Sequence, residues 1–323
     1  MKYPIDRKER VLLGGVKQTI HIWGTKQENP VILFLHGGPG VPNRHGMAKA
    51  HMDLLDDFTI VAWDQRGTGG SYFGCDPKSL TLEQLVSDCA ELLGYLCKTL
   101  GKKKIFLLGG SWGTELGTFV CRDYPQLVAG YIGYGQVVNG IENENVSYAY
   151  TLQKAKEAHC AEDIAELERI GPPVDGQYKP VFEGLMAQRR LLKKYGGHST
   201  KKGGYFSGTV LPILKSGELS IGDKIGTAKG YKVCLSNMWP TIVHYDFLKD
   251  CHTFAMPYYI FQGRLDNNTP SSLIQDYYDV IEAPDKDLIW FENSAHGPLG
   301  EEPVKFKKLM REKFLRIARE EAL

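Results

Sequence analysis

The sequence GGSWG at residues 109–113 constrains the fold of this chain more than any other feature. It follows a short apolar run at 104–108, which predicts a buried strand, and it precedes a helix-like segment at 112–124. A G-x-S-x-G sequence between a strand and a helix forms a sharp, strained turn that exposes the serine hydroxyl above the sheet. Side chains at the flanking glycines would collide in so tight a turn. Ser111 is therefore the candidate nucleophile; the alternative is a serine that only caps the following helix.

Strand and helix patterns alternate on both sides of this motif. Because short apolar runs separated by amphipathic helices form βαβ units, the pattern predicts an α/β fold with a mainly parallel central sheet flanked by helices. The first strand, at 18–23, alternates polar and apolar residues, as expected of an antiparallel strand with one wet face. The other predicted strands are 31–35, 59–63, 104–108, 127–134, 257–262 and 287–291, and the predicted helices are 82–100, 112–124, 270–282 and 301–320.

The alternation stops between residues 137 and 252, where we find amphipathic helices and polar loops but no buried strand. Helices are predicted over 141–169 and 179–195, separated by the helix-stopping sequence GPP at 171–173, and a mobile loop is predicted over 198–208. The sequence therefore predicts one α/β domain made of 1–136 and 253–323, interrupted by a helical insertion at 137–252 that returns to it.

A serine nucleophile needs a base, and the base needs an orienting acid. Asp266 follows the strand predicted at 257–262, and His296 follows the strand at 287–291, so both come at carboxyl ends of strands and in the chain order Ser, Asp, His. We predict that His296 takes the proton of Ser111 and that Asp266 fixes the histidine tautomer. Weaker alternatives lack a strand before them or precede one: His198, His244, His252, Asp246, Asp250, Asp285 and Asp287.

The tetrahedral oxyanion formed by attack on a carbonyl needs backbone N–H donors. One is predicted to be Trp112, the residue after the nucleophile, and the other Gly37 or Gly38 in the sequence HGGPG at 36–40, which follows the strand at 31–35. An ordinary Gly/Pro turn is the alternative for this loop.

The Gly-rich sequence at 64–71 is not a phosphate-binding motif, because it lacks a P-loop lysine and does not match G-x-G-x-x-G. We expect Asp64 and Arg66 in this sequence to brace the loops around the site.

Composition narrows the class of protein further. The formal charge of +1 over 323 residues gives no electrostatic reason to expect nucleic acid or a membrane as partner. The seven cysteines are odd in number and contain no CxxC pair, which argues against a disulfide framework or a zinc site. Since no signal peptide or apolar run of membrane-spanning length is apparent either, we predict a cytoplasmic protein.

Taken together, these motifs resemble those of the prolyl aminopeptidase (proline iminopeptidase) family of α/β hydrolases. The matching sequences are HGGPG at 36–40, DQRGTGGS at 64–71, GGSWG at 109–113, GRLD at 263–266 and His296. The resemblance implies the triad and oxyanion donors given above, a cis Gly38–Pro39 bond, a cap over 137–252, and no cofactor or metal. Family members hold the free ammonium of the substrate with cap acids, for which Glu142, Glu144, Asp246 and Asp250 are candidates.

The sequence departs from the family pattern in two places. Glu115 follows the GGSWG motif, where small residues are common; it is a candidate substrate contact, with a solvated helix residue as the alternative. The sequence GRLD continues with two asparagines, Asn267 and Asn268, where apolar residues are common.

Two enzymatic functions are compatible with these residues. The first is an aminopeptidase that releases N-terminal proline or another small residue from short peptides. The alternative is a carboxylesterase or lactonase that acts on small acyl substrates with the same triad. A non-catalytic binding protein on this scaffold is disfavoured by the intact Ser, Asp, His order. The expected partner is thus a small peptide or a small acyl substrate, and no oligomeric state is predicted.

Overall fold

The computed structural model describes residues 3–201 and 211–321. Eight strands form one sheet in the order β1-β2-β4-β3-β5-β6-β7-β8. The strands are β1 Ile5–Leu13, β2 Val16–Gly24, β3 Val31–Leu35, β4 Thr59–Asp64, β5 Ile105–Gly110, β6 Val128–Tyr134, β7 Tyr258–Gly263 and β8 Lys286–Phe291. The pairs β1/β2 and β2/β4 are antiparallel and the remaining pairs are parallel. The predicted α/β-hydrolase fold class is confirmed.

Twelve α-helices lie within the described part of the chain. Those outside the predicted cap are α1 Arg44–Ala50, α2 Leu82–Leu100, α3 Trp112–Asp123, α10 Ile274–Val280, α11 Pro298–Glu301 and α12 Pro303–Glu320. Those between β6 and β7 are α4 Gly140–Glu157, α5 Ala161–Ile170, α6 Val181–Lys194, α7 Leu211–Lys215, α8 Ile221–Ile242 and α9 Phe247–Asp250. No strand of the sheet lies between 135 and 257 among the described residues. The division into a catalytic domain and a cap stays a prediction.

Helices cover both faces of the sheet because the strands are apolar on both sides. On β5, Ile105 and Leu107 are buried in a core shared with α2 and α3. Phe106 and Leu108 point to the opposite core, where Phe106 stacks on Phe314 of α12 with ring centroids 4.3 Å apart. A strand buried on both faces in this way fixes β5 at the centre of the molecule and so positions the turn that follows it.

The antiparallel strand predicted at 18–23 is present, but the prediction that one of its faces is wet was wrong. All residues of 18–23 are buried. Polar side chains of this strand have partners instead: Gln18 donates to Asp88 Oδ2 (2.6 Å), and His21 Nε2 lies 2.8 Å from Asp6 Oδ1. A hydrogen-bonded polar residue can be buried at little cost, and alternation alone does not reveal such partners.

Other predicted elements differ in detail. The helix predicted over 141–169 is two helices, α4 and α5, because the chain turns at His159, which has a positive φ of 50°. Strand β1 was not predicted. Only residues 198–201 of the mobile loop predicted over 198–208 belong to the described part of the chain; the rest of that prediction lies outside it. All seven cysteines are free.

Candidate active site

Ser111 occupies the turn between β5 and α3 with φ 56° and ψ −125°. Positive φ is strained for a residue with a Cβ atom, and such strain concentrates at functional sites. A Cβ atom on Gly113 would lie 2.0 Å from the carbonyl oxygen of Leu35, and one on Gly109 would lie 2.6 Å from Gly113 O. The turn therefore accepts only glycine at these two positions, as the sequence predicted. Ser111 makes no side-chain capping bond to α3, so the capping alternative was wrong.

Asp266 and His296 meet at the carboxyl ends of β7 and β8. His296 Nδ1 lies 2.9 Å from Asp266 Oδ2. Asp266 is fully buried, and its carboxylate also accepts hydrogen bonds from the backbone N–H groups of Asn268 (2.8 Å) and Thr269 (3.0 Å). Burial alone would raise the pKa of Asp266, but His296 and the Thr269 hydrogen bonds outweigh it and hold that pKa below its ordinary value. An ionised carboxylate only accepts, so Nδ1 of His296 carries a hydrogen, and in the neutral ring Nε2 is then the nitrogen with the free lone pair.

The Nε2 atom of His296 faces the side chain of Asn268. Its distance to Asn268 Nδ2 is 2.9 Å. Among the hydrogen bonds of the described residues, none joins Ser111 Oγ to His296. Ser111 and His296 nevertheless border the same segment. The Ser111 N–H donates to Tyr134 O (3.0 Å), and a Cβ atom on the next residue, Gly135, would lie 2.8 Å from the His296 ring.

The loop that follows β3 lies directly against Ser111. A Cβ atom on Gly37 would be 3.1 Å from Ser111 Cβ and 3.7 Å from Ser111 Oγ, so the Gly37 backbone forms one wall of the site. Gly38 has φ +122° and is followed by a cis bond to Pro39, as the resemblance implied. Trp112 is the first residue of α3, where a backbone N–H has no partner within the helix.

Gln65 connects the two backbone segments that border Ser111, and sequence reasoning missed it. Its Nε2 donates to His36 O (3.2 Å), and its Oε1 accepts from Trp112 Nε1 (3.0 Å). Its backbone N–H donates to His36 Nε2 (3.2 Å), while His36 Nδ1 lies 2.8 Å from Gly37 O. Burial lowers the pKa of His36 to about 4, so the ring is neutral and can accept at one nitrogen and donate at the other. The available signal was the position of Gln65 inside DQRG, next to the residues expected to brace the loops.

Asp64 and Arg66 do brace this region. Arg66 binds Asp88 of α2 through two hydrogen bonds of 2.7 Å. Asp64 accepts from the buried Arg44 (2.9 Å), which also donates to Asp223 of α8 (2.9 Å). The segments that follow β3 and β4 are thereby connected to α2 and to α8.

A buried polar cluster from the helices after β6 reaches Asn268. It consists of Asn143, Glu144 and Arg189, and we call it the cap cluster. Asn143 Nδ2 donates to Asn268 O (2.8 Å) and to Glu144 Oε1 (3.1 Å), and Arg189 donates to the same carboxylate oxygen. Three buried oxygens of this cluster and of Asn268 have no hydrogen-bond partner within the described part of the chain: Asn143 Oδ1, Glu144 Oε2 and Asn268 Oδ1. The buried Tyr178 hydroxyl is also near Glu144, and burial together with that carboxylate raises the pKa of Tyr178.

Comparison with known proteins identifies the fold. A family model described as "alpha/beta hydrolase fold" matches residues 30–158. The proline iminopeptidase of Mycobacterium smegmatis superposes with a TM-score of 0.66, at 16% identity over 96% of this chain and 98% of that one. The chain has the α/β-hydrolase fold. A thermophilic esterase from Thermogutta terrifontis also superposes, with a TM-score of 0.59 at 18% identity over 96% and 99% of the two chains, so the fold alone does not select a substrate.

Relatives that are similar in sequence give a second comparison. The chain is 29% identical over 307 residues to a protein of Bacillus subtilis (strain 168) named "Probable aminopeptidase YbaC", a match that covers 94% of this chain and 95% of the relative. A "Proline iminopeptidase" of Clostridium botulinum (strain Hall / ATCC 3502 / NCTC 13319 / Type A) is 24% identical over 291 residues, which cover 88% of this chain and 89% of the relative. The predicted resemblance to the prolyl aminopeptidases is thus confirmed, and these similarities support a hydrolase.

The predicted substrate contacts fall in different places. Glu144 is buried in the cap cluster, where it accepts from Asn143 and Arg189. Glu142 is exposed, and Asp246 caps α9 by accepting from the Leu248 N–H (3.2 Å). Asp250 accepts from the Asp246 N–H (2.8 Å). Of these four acids, Glu144 is the one whose hydrogen bonds lead to His296, through Asn143 and Asn268.

Glu115 is not the solvated helix residue that was its alternative. It is 3% exposed, and its Oε1 has no hydrogen-bond partner among the described residues. Burial raises the pKa of Glu115 well above its ordinary value. Burial of this kind favours the neutral acid over the carboxylate, which disfavours a role as a charged contact for a substrate.

Two of the alternative histidines, His244 and His198, lie in different surroundings. His244 pairs with Asp175 at the surface (2.8 Å). His198 lies beside His296 with ring centroids 5.1 Å apart, and its carbonyl accepts the His296 N–H (3.2 Å). Burial and the neighbouring His296 lower the pKa of His198 to about 3, so it is neutral and supports the His296 loop.

Two further features of the described ranges 3–201 and 211–321 bear on function. No cluster of three or more His, Cys, Asp or Glu side chains there is arranged to hold a metal ion. None of the helices there combines the length and the apolar character needed to cross a membrane.

Proposed function

We propose that the chain is a serine hydrolase in which Ser111 is the nucleophile, His296 the general base and Asp266 the group that orients the histidine. The strained turn at Ser111 and the 2.9 Å contact between Asp266 and His296 support this assignment. The buried, ionised Asp266 fixes the tautomer that leaves Nε2 able to accept a proton.

The reaction follows from these roles. Ser111 Oγ attacks the carbonyl carbon of the substrate while His296 Nε2 takes the hydroxyl proton. The negative charge that develops on the carbonyl oxygen is stabilised by the N–H of Trp112 and by that of Gly37 or Gly38. The proton on His296 then passes to the leaving amine or alkoxide, and an acyl group remains on Ser111. Water, deprotonated by His296, releases the acid and restores the serine.

We assign the aminopeptidase activity on one observation, the unpartnered acceptors of Asn268 and of the cap cluster. Asn143 Oδ1, Glu144 Oε2 and Asn268 Oδ1 are buried and only accept hydrogen bonds. Unpaired buried acceptors are costly, so their presence favours a ligand that supplies N–H donors. The protonated amino terminus of a peptide has such donors and a charge opposite to that of Glu144. The proposed substrates are therefore short peptides with a free N-terminal proline or another small residue.

One contact favours the alternative, a carboxylesterase or lactonase. Arg189 pairs with Glu144, and the two side chains are 17% and 0% exposed. This pair offsets the negative charge that would attract an ammonium group. A small neutral acyl substrate needs no such charge and would use the same three catalytic residues.

Parallel assays separate the two functions. We expect the protein to cleave a proline anilide, and to lose that activity when the proline nitrogen is acetylated. Glu144→Gln should lower kcat/KM for the anilide about 10-fold or more, since a hydrogen bond to a charged group contributes about 1.5–3 kcal/mol. The same variant should leave hydrolysis of a short-chain nitrophenyl ester unchanged. Glu142→Gln, an exposed acid of the same helix, is the matched control.

The possible outcomes are distinct. Loss of anilide cleavage in Glu144→Gln with retained ester hydrolysis supports the aminopeptidase. Cleavage of the ester alone by the wild-type protein contradicts the aminopeptidase and supports the esterase. Activity on either substrate that survives in Ser111→Ala contradicts the serine hydrolase itself.

A further inference from the structure

Asn268 is held between the two parts of the site by three hydrogen bonds. Its backbone N–H donates to Asp266 Oδ1 (2.8 Å), and its carbonyl accepts from Asn143 Nδ2 of the cap cluster (2.8 Å). Its side-chain Nδ2 lies 2.9 Å from His296 Nε2. Asn268 is 8% exposed, so water does not readily replace these partners.

The contact with Nε2 has a direct chemical consequence. Because Asp266 holds the hydrogen on Nδ1, Nε2 has one lone pair and accepts one hydrogen bond. The amide of Asn268 donates to that lone pair, which must accept the proton of Ser111 during catalysis. As long as this hydrogen bond persists, Ser111 has no base, so a reagent without an amine reacts only from the fraction of molecules in which the bond is broken.

The other end of the same amide is unpartnered. Asn268 Oδ1 is buried without a hydrogen-bond partner among the described residues, as are Asn143 Oδ1 and Glu144 Oε2. A donor on Oδ1 alone would polarise the amide and strengthen its bond to Nε2, so release requires the substrate amine to draw these oxygens toward itself and turn the whole Asn268 amide away from His296.

We infer that Asn268 is a positioning residue that keeps His296 occupied in the resting protein, and that a substrate with a free amine releases His296 by engaging the Asn268 amide. This inference rests on the proposed function. It adds that recognition of the amine and availability of the base are coupled through one side chain. Substrates without an amine then meet a suppressed nucleophile, which gives selectivity for peptides beyond that provided by binding.

The test compares two substrates in one variant. Asn268→Leu has a similar size but cannot donate to Nε2 or accept from an amine. We expect it to raise kcat/KM for a small nitrophenyl ester several-fold, because Ser111 gains its base, and to lower kcat/KM for a proline anilide, because an acceptor is lost. Asn268→Ala should show the same opposite changes. The adjacent Asn267→Ala removes a side chain that bonds Leu265 O, outside the site, and it should change neither activity.

Opposite changes in the two substrates support the inference, since a general structural defect would slow both reactions. If kcat/KM for the ester and for the anilide change in the same direction, or do not change, the inference is overturned. Ser111→Ala is measured alongside. If it retains ester hydrolysis, the proposed function fails. If hydrolysis depends on Ser111 but Asn268→Leu affects both substrates equally, only the role of Asn268 fails.

Discussion

Trp112 Nε1 donates a hydrogen bond to Gln65 Oε1 over 3.0 Å, and this bond ties the start of α3 to the loop after β4. Gln65 also donates to the carbonyl of His36, at the start of the loop that faces Ser111. One buried side chain thus sets the distance between the two segments proposed to supply N–H donors to the oxyanion.

Replacing Gln65 should therefore impair catalysis more than binding. We expect Gln65→Leu to lower kcat about 10–100-fold with little change in KM, because a displacement of about 1 Å in a catalytic group can cost that much. Steady-state kinetics on the better of the two substrates measures it. Gln275→Leu, which removes an exposed hydrogen bond to Asp279, serves as control. An unchanged kcat would show that Gln65 does not position these segments.

The buried Arg44 should be a main contributor to stability. It donates to Asp64 and Asp223, so Arg44→Met leaves two carboxylates without their shared partner. We expect the free energy of unfolding to fall by about 3–5 kcal/mol, as for other buried ion pairs broken at one member. Urea denaturation measures it. Lys232→Met breaks an exposed pair with Glu183 and should cost less than about 1 kcal/mol. Equal losses in the two variants would contradict a stabilising role for Arg44.

Glu115 should make stability depend on pH in the opposite sense to an ion-paired acid. Its pKa is raised in the folded state by burial, so above about pH 4.3 the unfolded chain releases a proton that the folded chain retains. Stability then falls as pH rises. We expect Glu115→Gln to be more stable than the wild-type protein at pH 8 and to lose this advantage near pH 4. The exposed Glu312→Gln should show no such trend, and an advantage of Glu115→Gln that does not vary with pH would refute the prediction.

Asp266→Asn should separate catalysis from folding. An amide can still accept one hydrogen bond from the Thr269 region, but it no longer holds the hydrogen on His296 Nδ1. We expect kcat to fall about 10⁴-fold, the loss typical of a histidine in the wrong tautomer. Circular dichroism should still show a folded protein, and the exposed control Asp279→Asn should retain its activity. Retention of more than a tenth of the activity would place the orienting acid elsewhere.

The sequence predicted the parts of the molecule that repeat a general pattern. Strands buried on both faces, such as β3 and β5, were found within one or two residues because a short, uninterrupted apolar run between turn residues is typical of such a strand. The glycines on either side of Ser111 were predicted for the steric reason that the structure gives. Asp266 and His296 were paired because their strands end at the same edge of the sheet.

Other features depend on contacts between distant segments, which sequence patterns do not encode. Gln18 and His21 look like residues of a wet strand face until Asp88 and Asp6 are seen beside them. Glu144 could not be distinguished from Glu142 by sequence, since only the packing of α4 decides which acid is buried. Asn268 was noticed as a departure from the family pattern, but its contact with His296 could be found only in the structure.

The central claim, that Ser111 is the nucleophile, is tested most directly by covalent labelling. The protein is treated with a fluorophosphonate, and the site of attachment is mapped by mass spectrometry of its peptides, in the wild-type protein and in Ser111→Ala and His296→Ala. We predict one phosphonyl group on Ser111 of the wild-type protein, none in Ser111→Ala, and labelling slowed by several orders of magnitude in His296→Ala. A stable adduct on another residue, or equal labelling of the Ser111→Ala variant, would contradict the claim.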